Sequence, residues 1–444
     1  MNFIKLSMHN QTLIERSRTA VWHPCTQMKQ HERLPILPIS HGHGVWLYDF
    51  EGRRYLDAIS SWWVNLFGHT NPRINAALRE QLDQLEHVIL AGFTHAPVVE
   101  LSERLARLAP GNLGHCFYAS DGAAAIEIAL KMSFHFWRNS GQAQKTGFVS
   151  VANAYHGETL GALSVTDVAL FKDTYAPLLR QSQQVPSPDW RLAEPGESAE
   201  AYALRCADVL AQYLAQHHAS TAALIVEPLV QCAGGMAMHH PAYLRRAREI
   251  CDQFRVHLIA DEIAVGFGRT GTLFACEQAA IAPDFLCLSK GLTGGYLPLS
   301  VVLTHDAIYQ AFYHDETARG FLHSHSYTGN PLACRAALAT LDIFEQDQVI
   351  TANRKKAARF TSMMQPLQSH PRLRNFRQSG MIWAFEVADA TAGFSQAFYQ
   401  CALQHGLLLR PLGATVYFMP PYILDEENMQ ALIQGTLACL ETCN

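Results

Sequence analysis

Two short apolar runs end on groups that do chemistry. Val256–Ala260 is followed at once by Asp261, and Phe285–Leu288 by Ser289 and then Lys290. Runs rich in Val, Ile and Leu read as buried parallel strands, and open α/β sheets keep their ligands at the carboxyl ends of such strands. A carboxylate and an amine at two strand ends suggest one shared ligand. Pyridoxal phosphate needs that pair, with a lysine on its aldehyde and an acid on its ring nitrogen. Taken alone, the same two residues also read as an ordinary buried ion pair.

Ser120-Asp121-Gly122-Ala123 runs straight into Ile126–Lys131. A turn of small residues opening a helix presents backbone N–H groups and the positive end of the helix dipole, which is a place for a phosphate. Ser120 or Asp121 can cap that helix, and Glu127 and Lys131 stand at i,i+4. Without context the turn is as readily a plain helix cap.

The elements that must position these groups follow from the pattern. Phe148–Ala152 and Ala222–Val226 are further buried strands, one leading to Asn153-Ala154-Tyr155-His156-Gly157-Glu158, the other to Glu227. Leu299–Leu303 is another strand. Val45–Asp49 and Arg54–Asp57 flank Phe50–Arg53 as a hairpin. Trp62 and Trp63 are costly to expose, and periodicity favours core for Trp62. Gln181–Glu200 is polar and proline-rich, a surface excursion. From Leu332 onward, amphipathic helices and short strands form a C-terminal domain. No role follows for Glu158.

With 444 residues, 49% apolar and 16% charged, the chain can bury a large core and a second, smaller domain. A net charge of -5 gives no reason to expect nucleic acid or a membrane surface. The first twenty residues lack an uninterrupted apolar stretch and no run is long enough to span a bilayer, so a cytoplasmic location is expected. The 11 cysteines are scattered, with Cys439 and Cys443 the closest pair, and fit reduced thiols rather than disulfides. His41/His43 and His323/His325 have no evident third ligand, so no metal site is expected.

Asp261-Glu262-Ile263, Gly266-Phe267-Gly268-Arg269-Thr270-Gly271 and Ser289-Lys290-Gly291 together resemble the class III (ornithine-type) aminotransferases of PLP fold type I. The resemblance extends over nearly the whole chain. It implies an α/β fold: a large domain with a mainly parallel sheet flanked by helices, plus a smaller α+β domain. Residues 1–65 are then an N-terminal segment joining the small domain and the active site, 66–335 the large cofactor-binding domain, and 336–444 the C-terminal small domain. It implies pyridoxal 5'-phosphate held covalently on Lys290, with Asp261 on the ring nitrogen, Tyr155 stacked on the ring, and Gly122 and Ala123 donating N–H groups to the phosphate. Ala123 stands where relatives often carry serine. Glu227 belongs to the active-site wall. The segment Phe321–Pro331 is implied to lie at a homodimer interface and to complete the neighbour's phosphate site. Ser326 occupies the usual threonine position there. Ser324 and His325 replace the Gly-Pro of some relatives, and His325 either adds positive charge near the phosphate or packs.

Within the family, Trp22-His23-Pro24, Ser60-Ser61-Trp62-Trp63, Gly329–Cys334, and Arg410-Pro411 with Tyr417 and Met419–Tyr422 are similar to the branch acting in biotin biosynthesis. That branch moves an amino group from S-adenosylmethionine to 8-amino-7-oxononanoate, giving 7,8-diaminononanoate, by a ping-pong route through pyridoxamine phosphate. The likeness implies that Arg410 grips the keto acid's carboxylate, that Tyr417 helps admit the donor, and that Trp62, Trp63, Tyr155, Ser324 and Lys290 face substrate. Lys290, once displaced by the donor amine, is implied to be the base that moves the proton. Cys25 stands where relatives carry a tyrosine that touches substrate, and some relatives use lysine as donor. Other class III activities, on ω-amino acids or ornithine, and an aminomutase remain alternatives. A non-catalytic cofactor-binding protein would be expected to lack the lysine or the acid, and both are present.

Overall fold

The computed structural model describes residues 9–34 and 36–443. Met1–Met8, part of the stretch read above for a leader and of the expected N-terminal segment, lie outside the described residues, as do Pro35 and Asn444. Backbone contacts divide the chain into two units. The larger is Arg73–Ala357 with Arg377–Ile382; the smaller comprises the described residues of Met1–Pro72, Ala358–Phe376 and Trp383–Asn444.

The strands in chain order begin with β1 (Ile39–His43), β2 (Trp46–Asp49), β3 (Arg54–Asp57), β4 (His115–Ala119), β5 (Gly147–Val151) and β6 (Gln183–Val185). There follow β7 (Thr221–Val226), β8 (Val230–Gln231), β9 (Ala237–Met238), β10 (His257–Asp261), β11 (Phe285–Leu288) and β12 (Ser300–Thr304). The last are β13 (Leu373–Ser379), β14 (Ile382–Val387), β15 (Leu407–Leu408) and β16 (Thr415–Phe418).

In the larger unit the buried runs assemble into one sheet, ordered β4-β12-β11-β10-β7-β5-β6. The five strands from β11 to β6 are parallel, and β12 runs against both its neighbours. The link between Leu288 and Ser300 is too short for a crossover helix, so the chain turns back and β12 is antiparallel. The result is the mainly parallel α/β sheet expected of fold type I. Helix Gly122–Asn139 lies on it, seating Ile126, Ile128 and Ala129 against Ile225, Ile259 and Phe285, all fully buried. Each such Ile or Phe side chain contributes about 1.5–3 kcal/mol on leaving water. The larger unit continues past residue 335 to Ala357. Helix Pro331–Gln346 explains this, since it packs on Ala96–Leu108 and on the turn that starts at Lys290, and buries Ala336, Ala337 and Leu341.

The smaller unit carries the sheet β1-β2-β3-β15 and most of a second, β13-β14-β16. Its β2–β3 hairpin is the one expected, with Gly52 at φ +83° and Asp49 Oδ1 accepting the N–H groups of Glu51 and Arg53. Helices Phe394–Gln404 and Glu426–Thr442 pack on one another.

Candidate active site

Four neighbouring parallel strands of the larger unit end on the candidate chemistry. β10 closes on Asp261, β11 is followed by Ser289 and Lys290, β7 by Glu227, and β5 leads into Tyr155 and His156. Asp261 is only 4% exposed. Its Oδ2 lies 2.7 Å from His156 Nδ1 and its Oδ1 accepts the Ile263 N–H at 3.1 Å. His156 Nε2 is buried with no hydrogen-bond partner among the described residues. Glu227 accepts N–H groups of Tyr155 and Cys232 at 2.9 and 3.0 Å. Burial pushes its carboxyl up to about 7, against an opposing influence of neighbouring His156.

Lys290 opens a tight 3-10 turn, Lys290–Thr293, with its own φ at +45° and Gly294 closing the turn in the left-handed region. Non-glycine residues seldom adopt that conformation, and it is held where surrounding structure over-determines it. Ser289 Oγ donates to the Leu299 carbonyl at 2.8 Å, tying the turn to the start of β12. Burial lowers the Lys290 pKa from its ordinary value, against the opposing pull of Cys232, Asp261 and Glu227. A lysine so placed is more readily neutral, which is the form that attacks a carbonyl or takes a proton.

Asp121, not Ser120, caps helix Gly122–Asn139, accepting the Ala124 N–H at 2.9 Å. The amides of Gly122 and Ala123 belong to the first turn, where no intrahelical acceptor exists. A Cβ on Gly122 would stand 2.9 Å from Ile263, two residues beyond Asp261, so only glycine fits there. Gly157 approaches more closely still: a Cβ there would meet that of Ala123 at 2.6 Å. The turn after β5 and the helix start are thereby held together. Tyr155 donates its hydroxyl to Glu158 Oε1 at 2.8 Å and packs edge-on against Phe171. Glu127 accepts the Gly161 N–H at 2.7 Å, and Lys131 Nζ lies 2.8 Å from His323 Nδ1, so the i,i+4 partners each serve another group.

The segment Phe321–Pro331 contacts its own chain at this helix start. His325 Nε2 lies 3.0 Å from Ser120 Oγ, and Thr328 Oγ1 donates to the Tyr118 carbonyl at 2.7 Å. Ser324 and Ser326 are exposed.

A second cluster lies within the smaller unit. β3 and β15 are parallel neighbours, and their carboxyl ends carry Ser60–Trp63 and Arg410. Ser60, Ser61, Trp62 and Trp63 all have positive φ, at 52°, 46°, 72° and 73°, making a left-handed turn built without glycine. Asp57 holds it, accepting the Ser61 N–H at 2.8 Å and hydroxyl at 2.7 Å. Ser60 Oγ donates to the Met419 carbonyl at 2.7 Å. Within this unit the turn sends the tryptophans apart: Trp63 is buried and donates to the Tyr417 hydroxyl at 3.1 Å, while Trp62 is 45% exposed, with the Arg410 guanidinium 5.2 Å from its ring centre. The core placement that periodicity favoured for Trp62 belongs to Trp63. Cys25 is exposed in a turn of its own, with φ +52°.

The expected residues thus fall into two groups. Lys290, Asp261, Tyr155, Gly122, Ala123, Ser324, His325 and Ser326 belong to the larger unit, and Trp62, Trp63, Arg410, Tyr417 and Cys25 to the smaller. Sequence reasoning missed His156 as the partner of Asp261 and Ser120 as that of His325. The only signal for His156 was its place beside Tyr155 at a strand end.

Residues 27–440 match the sequence model of the family described as Aminotransferase class-III. The chain is 48% identical over 429 residues to the adenosylmethionine-8-amino-7-oxononanoate aminotransferase of Helicobacter pylori (strain ATCC 700392 / 26695), covering 95% of this chain and 96% of that one. The crystal structure of the enzyme of the same name from Methanocaldococcus jannaschii superposes with a TM-score of 0.92 at 33% identity, over 98% of this chain and 100% of that one. An amine transaminase from an uncultivated Pseudomonas species, solved in a PLP-bound form, gives a TM-score of 0.89 at 31% identity, over 96% of this chain and 99% of that one.

Proposed function

Because the chain belongs to the class-III aminotransferases, which are PLP-dependent transaminases, we propose that it moves an amino group from S-adenosylmethionine to 8-amino-7-oxononanoate, yielding 7,8-diaminononanoate for biotin. The observation that carries this reading is the near end-to-end likeness to relatives bearing that name, joined to a half-buried lysine and a buried acid at adjacent strand ends.

The residues fit pyridoxal 5'-phosphate. Asp261 is a buried carboxylate with an imidazole behind it, and the glycine at the helix start is forced by Ile263. When bound, the cofactor supplies an electron sink for the carbon whose proton is removed. Lys290 would hold it covalently and, once freed, would be the base that takes and returns the proton of the donor carbon. Asp261 keeps a proton on the ring nitrogen, and His156 fixes the orientation of that carboxylate. Tyr155 covers the ring, its own tilt set by Glu158. Gly122 and Ala123 bind the phosphate through their N–H groups, with His325 and Ser326 as further contacts. Arg410 binds the keto acid's carboxylate by paired hydrogen bonds, and Trp62 supplies flat apolar surface beside it. Trp63 and Tyr417 support that surface, and Ser324 and Cys25 meet substrate. The same reading takes the working form to be a cytoplasmic homodimer.

The test is a pair of half-reactions on the purified yellow enzyme. Bleaching of its absorbance by S-adenosylmethionine, with colour restored by 8-amino-7-oxononanoate, is the expected result. Bleaching by lysine instead, with the same restoration, changes the donor and points to Cys25. Bleaching by ornithine or glutamate with no response to the keto acid overturns the substrate assignment.

A further inference from the structure

Far along the chain from the catalytic lysine, two helices of the smaller unit bring together residues that their spacing alone did not connect. Cys401 and His405 stand one turn apart at the end of Phe394–Gln404, where His405 is the cap. Cys439 and Cys443 stand one turn apart at the end of Glu426–Thr442, where Cys443 is the cap. The ligand atoms of Cys401, His405 and Cys439 all lie within 4.8 Å of one another. Gly435 is one turn before Cys439 on the same face. A Cβ there would stand 2.6 Å from Leu407 and 3.4 Å from the Cβ of His405, so glycine permits the close approach that assembles the group.

We propose that Cys401, His405 and Cys439 bind a zinc ion, with Cys443 at the fourth position. Sulfur and imidazole nitrogen are the ligands zinc prefers, and Cys₃His is a recurring closed tetrahedral set. Zn–S bonds of about 2.3 Å place tetrahedral sulfurs about 3.8 Å apart, so the cluster needs only a small contraction. Cys443 is at hand through Thr442, whose hydroxyl lies 3.2 Å from Cys401 Sγ and 3.9 Å from Cys443 Sγ.

Electrostatics favour a cation here. Both helices end at the cluster, and helix carboxyl ends carry partial negative charge. Three thiolates around one divalent ion leave a single negative charge. Arg372 faces that charge from the start of β13: it donates to the carbonyls of Leu440 and Cys443 and pairs with Asp389. Cys401 and Cys439 are buried while His405 is exposed, which gives a sheltered site with an open side for entry. Binding displaces the thiol protons to solvent, and no oxidation is involved. The ion would clip the last helix to its neighbour, a structural rather than catalytic role.

The experiment is elemental analysis of the untagged holoenzyme from zinc-supplemented culture, with thermal unfolding before and after chelation. One zinc per chain is expected, with a lower unfolding midpoint after chelator and recovery on adding zinc chloride. Cobalt substitution should give the thiolate-to-metal absorption and strong visible bands of a tetrahedral site. Cys401→Ser with Cys439→Ser should lose the metal. His405→Ala alters an exposed position that folding tolerates, and should weaken zinc binding at least about tenfold. The proposal fails if the parent takes up no zinc and its midpoint ignores both zinc and chelator. It fails equally if the double variant or His405→Ala keeps zinc as tightly as the parent. A parent mass short of two hydrogens, mapped to a Cys401–Cys439 disulfide, also overturns it.

Discussion

His156 Nδ1 lies 2.7 Å from Asp261 Oδ2, and both side chains are buried. A carboxylate only accepts, so the imidazole donates, and this bond aims the acid proposed to meet the cofactor's ring nitrogen. His156→Phe keeps the ring volume and deletes the donor. A buried hydrogen bond to a charged group contributes about 1.5–3 kcal/mol, so turnover should fall about 10- to 100-fold. The pH at which the bound cofactor's absorbance titrates should move as well. Unchanged turnover and titration would remove the positioning role.

Lys290→Ala tests the centre of the proposed mechanism. The phosphate contacts and Asp261 remain, so cofactor should still bind, now removable by dialysis and lacking the absorbance of the lysine adduct. Loss of the base and of the covalent anchor should lower turnover by at least about 1,000-fold. Near-normal turnover would sink the assignment of Lys290.

Asp261 and Lys290 were legible because residue type and strand-end position agree, and β-runs rich in Val, Ile and Leu declare themselves. The direction of β12 was not, since a five-residue apolar run carries no sign of its polarity. The turn Ser60–Trp63 was hidden for a different reason: four consecutive non-glycine residues at positive φ contradict local preference, and hydrogen bonds to Asp57, Met419 and Tyr417 help to sustain them. His156 is one of 22 histidines, and nothing local marks the one that reaches Asp261. The cluster at Cys401 and Cys439 joins residues of two helices, which no sequence spacing reveals.

Asp57 should therefore matter more than its distance in sequence from Lys290 suggests. Besides Ser61, its Oδ2 meets His69 Nε2 at 3.0 Å, and the residue is fully buried. Left-handed backbone costs about 1–2 kcal/mol per residue, and Asp57 offsets part of that. Asp57→Ala strands three polar groups and should destabilise the protein by about 3–5 kcal/mol, with a raised KM for the keto acid as Trp62 loses its setting. Asp57→Asn keeps one acceptor and should cost less. Equal unfolding midpoints for parent and Asp57→Ala would refute the account.

Glu262 offers a stability test with a defined sign. It is fully buried, its oxygens accepting the N–H groups of Ala275 and Cys276 at 2.6 and 2.8 Å. Burial nonetheless pushes its carboxyl from 4.5 up to about 7. Between those values the folded state holds a proton that the unfolded state has released, so stability falls as pH rises through that window. The loss amounts to about 3 kcal/mol. Gln cannot ionise, so Glu262→Gln escapes this loss while giving up one acceptor to an amide group. Urea unfolding of both proteins at about pH 5 and about pH 8 should find the parent's advantage over Glu262→Gln shrinking by about 3 kcal/mol at the higher pH. An advantage that stays constant across the window would mean that the two backbone donors outweigh burial and keep the carboxylate ionised throughout.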